Sequence, residues 1–430
     1  VLVCLLSANA QAQEEQRELP PPGGTPKDFS LPAKETVTLD NGLRVTLVEF
    51  GSVPKATVRV VVRSGNLNEG DDTWLADLSG DFLLEGTASR SSDVIAREAA
   101  AMGGALNVAV GADQTTIGGD VLSDFVPQMV ALLADVTRNP AFPESELERL
   151  KRDRLRQLSV ALTQPQQMAT AAFRKAMYGD HPYGRTLPDE DQLAGYTLDD
   201  ARSFYAGNFG AKRTHVYVAG RFDKDATLDA IRDGFADWEA GPDIYVNIPQ
   251  PAKGKVTVDV IDRPGAVQSN VYLGLPTPSP GSADWIPLQI SNTLLGGFFS
   301  SRITSNIRED KGYTYSPFSS LSTRYRDTYW AQVGIIYIGD ADSPALLAED
   351  IIRAERLHHQ VRPGDRRHLD LDCPFDEDAK MLCRFLLLEQ QIPCGEGLFF
   401  CVIGQRLDIS GLEAGKDCVC LQVFDDGVFA

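Results

Sequence analysis

Hydrophobic and polar residues alternate at the start of the chain in a way that predicts an antiparallel sheet. Two alternating runs, Glu35–Leu39 and Leu43–Phe50, are joined by Asp40-Asn41-Gly42. Both positions of a tight hairpin turn need positive φ, so Asn-Gly between such runs indicates a β-hairpin. A third strand is predicted over Ala56–Arg63, which ends at a Ser-Gly pair.

The pattern then changes to helical spacing, interrupted by short β segments. Helices are predicted over Trp74–Leu84, Ser91–Met102, Leu122–Asn139, Glu144–Leu162, Pro165–Met177, Tyr196–Asn208 and Asp223–Trp238, and strands over Ala105–Val110, Gln114–Val121 and Arg213–Ala219. An antiparallel sheet with helices mainly on one face is an α+β domain, which we assign to residues 35–245.

A similar order of elements follows a Pro-rich linker over residues 246–254. Strands are predicted over Lys255–Asp262 and Ser269–Leu275, and a helix over Pro287–Leu295. Because a strand, a helix and a Leu-Leu-x-Gly sequence occur in this order in both halves, the pattern indicates a weak internal repeat. The predicted fold class is therefore α+β with two related domains, the second (255–359) apparently incomplete.

Length, composition and charge exclude several classes of protein. The 430 residues suffice for two or three domains, and 43% of them are hydrophobic, which excludes a disordered protein. The formal net charge of −19 repels phosphate backbones and argues against nucleic-acid binding. No apolar run approaches the length of a membrane-spanning helix, so we expect no membrane span.

The first residues are typical of the end of a secretory signal peptide. An apolar run, Val1–Leu6, is followed by small residues and the A-x-A sequence Ala10-Gln11-Ala12. A merely apolar terminus and a lipoprotein site at Cys4 are alternatives, although Val3 is bulky for the latter. We expect residues 1–12 to be a signal remnant, residues 13–34 to form a Pro/Gly-rich arm, and the protein to be periplasmic or secreted in a bacterium.

Four stretches, which follow one another along residues 36–358, resemble the insulinase/pitrilysin family of zinc peptidases. The resemblance is to the two-domain bacterial branch of the family, which is similar to mitochondrial processing peptidase. They are the hairpin Thr38–Val45, the loop Gly179–Arg185 with its His-Pro-Tyr-Gly sequence, the segment Phe204–Gly220, and the segment Leu294–Ser316 with its Leu-Gly-Gly and Arg-Glu-Asp-Lys-Gly sequences. No single stretch is specific, but their order identifies the chain as a member of this family.

The resemblance also places the family's catalytic motif, and here that motif is lost. In the family, His-x-x-Glu-His on a helix supplies two zinc ligands and the general base, and a distant Glu supplies the third ligand. The matching positions in this chain carry Asp77, Gly80 and Asp81, and the third ligand falls on Gln157. We therefore expect no zinc site in this chain and no peptidase activity of the chain alone.

The replaced residues could instead hold a different cation. Asp77 and Asp81 lie one helical turn apart and could share a hard cation such as calcium with Gln157, although two carboxylates on a helix are more often solvated. The histidines offer no zinc site on one helix, because His181 and His215 lie in a loop and a strand and His358 and His359 are adjacent, with side chains pointing apart.

Two residues implied by the resemblance are intact in the second domain. In the family, an arginine and a tyrosine near the scissile bond bind the substrate backbone and stabilise the oxyanion. They correspond here to Arg308 and Tyr315. The alternatives are that Arg308 covers a helix face and Tyr315 packs in a sheet. Gly296 and Gly297 would permit close backbone approach at a substrate site, or simply end a helix.

The resemblance ends near residue 359. Six of the seven cysteines lie in the tail, residues 360–430: Cys373, Cys383, Cys394, Cys401, Cys418 and Cys420. The tail could be an appended disulfide module or a zinc cluster, although C-x₂-C spacing is absent. The abrupt change favours a third interpretation, a tail foreign to the second domain, for instance through an altered reading frame.

These observations lead to a functional hypothesis. We expect a non-catalytic subunit of a heterodimeric periplasmic zinc metallopeptidase, whose partner is a homologue carrying His-x-x-Glu-His and the zinc. The chain would complete the substrate chamber, bind peptide by strand addition, and supply Arg308 and Tyr315 in trans. The alternatives are a peptide-binding or scaffolding protein with no role in proteolysis, and a hydrolase with an unconventional site.

Overall fold

The computed structural model describes residues 30–244, 257–263, 266, 268–325, 327–337 and 399–404. The predicted signal remnant 1–12, most of the arm, the linker 246–254, three of the five histidines and five of the six tail cysteines lie outside the described residues. Among the described helices, none combines the length and apolar character that crossing a bilayer requires.

The first domain contains a six-stranded sheet in the order β1-β2-β6-β3-β5-β4. Its strands are β1 Glu35–Thr38, β2 Arg44–Glu49, β3 Lys55–Val62, β4 Asn107–Val110, β5 Thr115–Leu122 and β6 Thr214–Gly220. All neighbours are antiparallel except β2 and β6. The predicted hairpin is present, and Gly42 takes a φ of 91° in its turn, a value that favours glycine.

The helices are α1 Leu75–Asp81, α2 Ser92–Ala101, α3 Val126–Arg138, α4 Glu144–Thr163, α5 Pro165–Tyr178, α6 Glu190–Gly195, α7 Leu198–Asn208, α8 Lys224–Phe235 and α9 Trp285–Asn292. In β3 every second residue is fully buried, as expected for a strand with one face against helices. The main core forms between that face and the helices, around Val58, Val60, Leu78, Phe82 and Leu133.

The second sheet repeats the topology of the first. Its strands are β7 Thr257–Asp262, β8 Gln268–Thr277, β9 Phe318–Leu321, β10 Thr328–Tyr337 and β11 Phe399–Gly404, in the order β7-β11-β8-β10-β9. In each sheet the last strand of the chain lies between two earlier strands: β6 is parallel to β2 and antiparallel to β3, and β11 is parallel to β7 and antiparallel to β8. The internal repeat suggested by the sequence is therefore present in the strand order.

The position of β11 differs from one expectation. We expected the tail 360–430 to lie outside the second domain, but Phe399–Gly404 occupies the place that β6 has in the first sheet. Without it, β7 and β8 would face each other with unpaired backbone N–H and C=O groups, so a strand from far along the chain completes the ladder.

Helix α5 joins the two halves of the molecule. Its sequence lies within the range predicted for the first domain, yet its apolar face packs on the second sheet. The Phe173 ring lies 5.7 Å from the Tyr272 ring and 5.1 Å from the Tyr329 ring. Gly274 makes this approach possible, because a Cβ there would lie 2.4 Å from the Phe173 ring.

The His-Pro-Tyr-Gly loop lies at the same boundary. Tyr178 at the end of α5 donates a hydrogen bond of 2.6 Å to the carbonyl of Asp327. Asp113, in the turn between β4 and β5, accepts hydrogen bonds from the hydroxyl of Tyr183 and from the backbone N–H of Tyr325. The loop therefore connects the first sheet to the β9–β10 connection of the second.

Candidate functional site

The four residues that the resemblance predicts to replace the catalytic motif lie on α1 and α4, and the guanidinium of Arg154 lies among their side chains. Asp77 and Asp81 are on the face of α1 turned toward α4, where Gln157 is located. The guanidinium of Arg154 donates to all three side chains. The cation that Asp77, Asp81 and Gln157 share is therefore an arginine of α4.

The geometry of this contact is that of a bidentate ion pair. Arg154 Nε and Nη2 lie 2.7 Å from the two carboxylate oxygens of Asp81, and Nη1 lies 3.1 Å from Asp77 Oδ1 and 3.2 Å from Gln157 Oε1. Burial opposes the charge of Arg154, but hydrogen bonds and the two carboxylates outweigh it and raise its pKa above the ordinary value. For Asp77 burial has the larger effect and raises the pKa.

These residues do not fit a zinc ion. None of the four positions is a histidine or cysteine, and the point where the oxygens converge holds a fixed positive charge, which would repel a metal ion. In the part of the chain that the structure describes, no cluster of three or more His, Cys, Asp or Glu side chains has an arrangement suited to a metal.

Gly80, the predicted position of the general base, is closely packed against β4. A Cβ at Gly80 would lie 2.5 Å from Cγ2 of Val110, because α1 rests directly on β4. A side chain at this position would need the Val110 side chain, or β4 itself, to shift. Gly80 therefore serves the contact between the helix and the strand.

Two further polar residues, Asn66 and Glu69, are connected to Asp77, and the sequence analysis did not identify them. Asn66 Nδ2 donates to Asp77 Oδ2 over 2.7 Å and to Glu69 Oε2 over 3.2 Å. Glu69 also accepts the backbone N–H groups of Trp74 and Ala76 at the start of α1. Burial of Glu69 raises its pKa to about 7, although these hydrogen bonds act in the opposite direction.

One signal in the sequence could have identified Arg154. It precedes Gln157 by three residues, so the two side chains share a face of α4. Glu69 and Asn66 carry no comparable signal, because they lie in the irregular segment before α1 and reach Asp77 only through the fold.

The residues singled out in the second domain do come together. Arg308 lies in a π-helical segment, Thr304–Asp310, and its guanidinium carbon is 4.5 Å from the ring centroids of both Phe299 and Tyr315. Tyr315 is 71% exposed, so the alternative that it packs in a sheet does not hold. Glu309 Oε1 lies 3.2 Å from Arg308 Nε.

Gly296 and Gly297 line the same pocket, which has a volume of about 300 Å³. Its other lining residues are Phe298, Phe299, Thr304, Arg308, Tyr315, Ser316, Pro317 and Phe318. A Cβ at Gly296 would lie 2.4 Å from Ser319 Oγ, and one at Gly297 would lie 2.7 Å from Asn292 Nδ2. Both glycines therefore permit close approach, and they also end the π-helical segment Thr293–Gly297.

Strand β4 forms one edge of the first sheet, beside α1. It pairs with β5 on one side, and within the described residues no strand pairs with its other side. Asn107 and Ala109 of this short strand are exposed. An unpaired edge presents backbone donors and acceptors that an extended peptide could extend as a further strand.

Family models and curated relatives that match this chain belong to one group of peptidases. A family model described as "Insulinase (Peptidase family M16)" matches residues 44–191, and one described as "Peptidase M16 inactive domain" matches residues 195–353. An uncharacterized zinc protease of Mycobacterium tuberculosis is 30% identical over 340 residues, which cover 77% of this chain and 76% of the relative. The probable mitochondrial-processing peptidase subunit beta of Arabidopsis thaliana is 24% identical over 400 residues, covering 86% and 73%.

Solved structures show the same fold. The crystal structure of a peptidase M16 inactive domain from Pseudomonas fluorescens superposes with a TM-score of 0.72 at 21% identity, covering 87% of this chain and 98% of that one. A putative M16-like peptidase from Alicyclobacillus acidocaldarius gives 0.67 at 16% identity, covering 83% of each chain. From the two matched models and the mycobacterial relative, the chain belongs to the insulinase family, peptidase family M16.

Proposed function

We propose that this chain is the non-catalytic subunit of a heterodimeric zinc metallopeptidase. Its partner would be a homologous subunit that carries His-x-x-Glu-His and the zinc ion, while this chain completes the chamber around a peptide substrate. The observation that carries the proposal is the guanidinium of Arg154 within the oxygen set of Asp77, Asp81 and Gln157. A chain with this arrangement does not cleave peptides by itself.

The pocket around Arg308 supports a contribution in trans. Contact with the rings of Phe299 and Tyr315 restricts the guanidinium without using its N–H groups. Nε lies 3.2 Å from Glu309 Oε1, and the terminal N–H groups can donate to a carbonyl oxygen or a developing oxyanion. The exposed Tyr315 hydroxyl is a second donor at the pocket, and fixed donors of this kind stabilise charge that develops in the transition state.

The free edge of β4 supports a role in holding the substrate. Peptide bound as an added strand would gain backbone hydrogen bonds without dependence on its sequence. It would run beside α1, where Val110 closes the position of the general base. The substrate would therefore be held at this edge without being cleaved there.

Peptidase activity of the separate and mixed subunits tests the proposal. We expect zinc only in the partner, and cleavage of a neutral test peptide that is greater in the mixture than in either subunit alone. Arg308→Ala or Tyr315→Phe in this chain should lower the activity of the mixture by at least about tenfold, as loss of one oxyanion donor does. Arg263→Ala, an exposed arginine of the same domain outside the pocket, is the matched control and should have no effect.

A mixture no more active than the partner alone would contradict the proposal. A peptide-binding or scaffolding role without proteolysis would then be the better description. We also propose that the protein is exported to the bacterial periplasm, which the signal-like sequence of residues 1–12 supports. Fractionation of cells expressing the natural gene checks this part.

A further inference from the structure

The two faces of the first sheet differ sharply in chemistry. One face packs on the helices and carries the buried residues Val45, Val58, Val60, Val216 and Val218. The residues that alternate with them point to the opposite face, where Thr46 and His215 are buried, Arg59 is half-buried, and Arg44 and Tyr217 are exposed. Part of this second face is therefore accessible to solvent.

Three arginines dominate the open face. Arg44 on β2 and Arg63 at the end of β3 are exposed, and Arg59 on β3 is half-buried. Within the described residues, none of the three has a carboxylate within salt-bridge distance. We call the surface formed by Arg44, Arg59, Arg63 and Tyr217 the arginine face.

The local charge is opposite to that of the whole chain, whose formal net charge is −19. The carboxylate that the strands contribute to this face, Asp120 on β5, is already bound by Lys55 and by the hydroxyl of Thr57, each at 2.7 Å. Three arginines without carboxylate partners in so acidic a protein form a local site for negative charge.

A flat aromatic surface lies among the arginines. The rings of His215 and Tyr217 stack at 3.9 Å with an angle of 19° between their planes, and Tyr217 is 39% exposed. His215 Nε2 is held by Thr46 Oγ1 at 2.8 Å. Burial, followed by the charges of Arg44 and Arg63, lowers the pKa of His215 to about 4, so both arginines act on the same ring.

The register of the strands gives the spacing of the charges. Arg59 and Arg63 are four residues apart along one strand, which corresponds to about 13 Å. Arg44 pairs with His215, and His215 pairs with Val61, so Arg44 lies two strands away, level with the midpoint between the other two. An extended peptide with carboxylates four residues apart repeats its charges at the same interval of about 13 Å.

We propose that the arginine face binds an acidic, extended segment of the peptide substrate. Carboxylate side chains spaced four residues apart would pair with Arg59 and Arg63, a third would reach Arg44, and the Tyr217 ring would support the peptide between them. The inference rests on the proposed function in one respect, because it names the substrate class of the same chamber.

Binding of labelled peptides to the intact chain tests the inference. The probe is a fluorescein-labelled peptide with three glutamates spaced four residues apart, and its control has glutamine at those positions. We expect the glutamate peptide to bind at least about tenfold more tightly at low salt, with the difference falling as salt screens the charges. Arg59→Gln with Arg63→Gln should remove the preference, whereas Arg59→Lys with Arg63→Lys should retain part of it.

Arg97→Gln is the matched control, because Arg97 is an exposed arginine on α2, away from this face. Equal binding of the two peptides, or a preference that survives the double glutamine variant, would overturn the inference. Thermal melting confirms that each variant is folded.

The two proposals fail in different experiments. Activation of the partner toward a neutral peptide does not involve the arginine face, so failure there counts against the proposed function alone. A mixture that cleaves the glutamate and glutamine peptides equally well would retain the proposed function and remove the acidic substrate class.

Discussion

Arg154 on α4 and Asp81 on α1 form two parallel hydrogen bonds of 2.7 Å, from Nε and Nη2 to the two carboxylate oxygens. The sequence resemblance predicts that Asp81 stands at the position of a zinc-binding histidine. On that prediction, the pair places a guanidinium at the predicted metal position. The ion pair joins the two helices through charge.

Removing this cation should destabilise the protein. Arg154→Ala leaves Asp77 and Asp81 facing each other, half-buried and without their shared donor. Loss of one partner of a buried pair costs about 3–5 kcal/mol, and partial exposure of these side chains reduces our expectation to about 2–3 kcal/mol. Urea unfolding measures the change, and added calcium should recover part of it by taking the vacated place.

Arg156→Ala is the control for that experiment. Arg156 is on the same helix, and its side chain is 75% exposed and pairs only with Asp153 at the surface. Its loss should change the free energy of unfolding by less than about 1 kcal/mol. Equal effects of the two substitutions would contradict a structural role for the Arg154 pair.

A side chain at Gly80 should be unfavourable. Gly80→Ala gains up to about 1 kcal/mol of helix propensity, but its Cβ overlaps Val110 Cγ2, and overpacking costs about 1–3 kcal/mol. We expect net destabilisation in thermal melts, relieved when Val110→Ala is added. Gly207→Ala on α7 has open space around its Cβ and should stabilise the protein. A stabilising Gly80→Ala would contradict the expected overlap with Val110.

Glu69 should make stability depend on pH. Its folded pKa of about 7 lies above the ordinary value of 4.5, so in the folded state it holds a proton that the unfolded state releases. Stability from this group is therefore full below about pH 4.5 and is lost as the pH rises to about 7, by up to about 3 kcal/mol. Urea unfolding between pH 5 and 8 measures this slope.

Glu69→Gln should remove most of that slope, because the amide does not titrate. Glu239→Gln, at an exposed glutamate near the end of the first domain, should leave it unchanged. If both variants retain the slope of the natural protein, another group is responsible for it.

Asp113 should hold the two halves of the molecule together. Asp113→Ala removes the acceptor for the Tyr183 hydroxyl and for the backbone N–H of Tyr325. We expect a loss of about 1–2 kcal/mol and faster hydrogen exchange of the N–H of Tyr325. Asp40→Ala, in the first hairpin turn, is a surface control, and protection of Tyr325 equal to that of the natural protein would argue against this connection.

Local patterns were sufficient for much of the first domain. Asn41-Gly42 predicted the hairpin because only a few residues adopt its backbone angles, and the alternation in β3 predicted a strand with one buried face. Predicted and observed helices agree closely for α2, α4, α5 and α8. The segment Leu122–Asn139 differed at its start, where a 3₁₀ turn over Ser123–Phe125 precedes α3.

Other elements were missed for identifiable reasons. Helix α6 is a short helix of six residues between two loops, too short to show a helical period. Strands β9 and β10 follow the Arg308 segment and were not predicted; β9 has only four residues, too few to show a clear alternation. The packing of α5 on the second sheet could not be predicted either, because an amphipathic pattern shows that a helix has an apolar face and not which sheet covers it.

The sequence by itself determined the residue types at the positions that the resemblance singles out: two aspartates, a glycine and a glutamine at the predicted metal and general-base positions, and Arg308 and Tyr315 in the second domain. Only the tertiary structure decided what these residues do. Arg154 meets Asp77 across 77 positions of the chain, and the guanidinium carbon of Arg308 lies 4.5 Å from the ring centroids of both Phe299 and Tyr315. Such contacts depend on how helices and strands pack in three dimensions, whereas the period of a sequence carries information only about near neighbours along the chain.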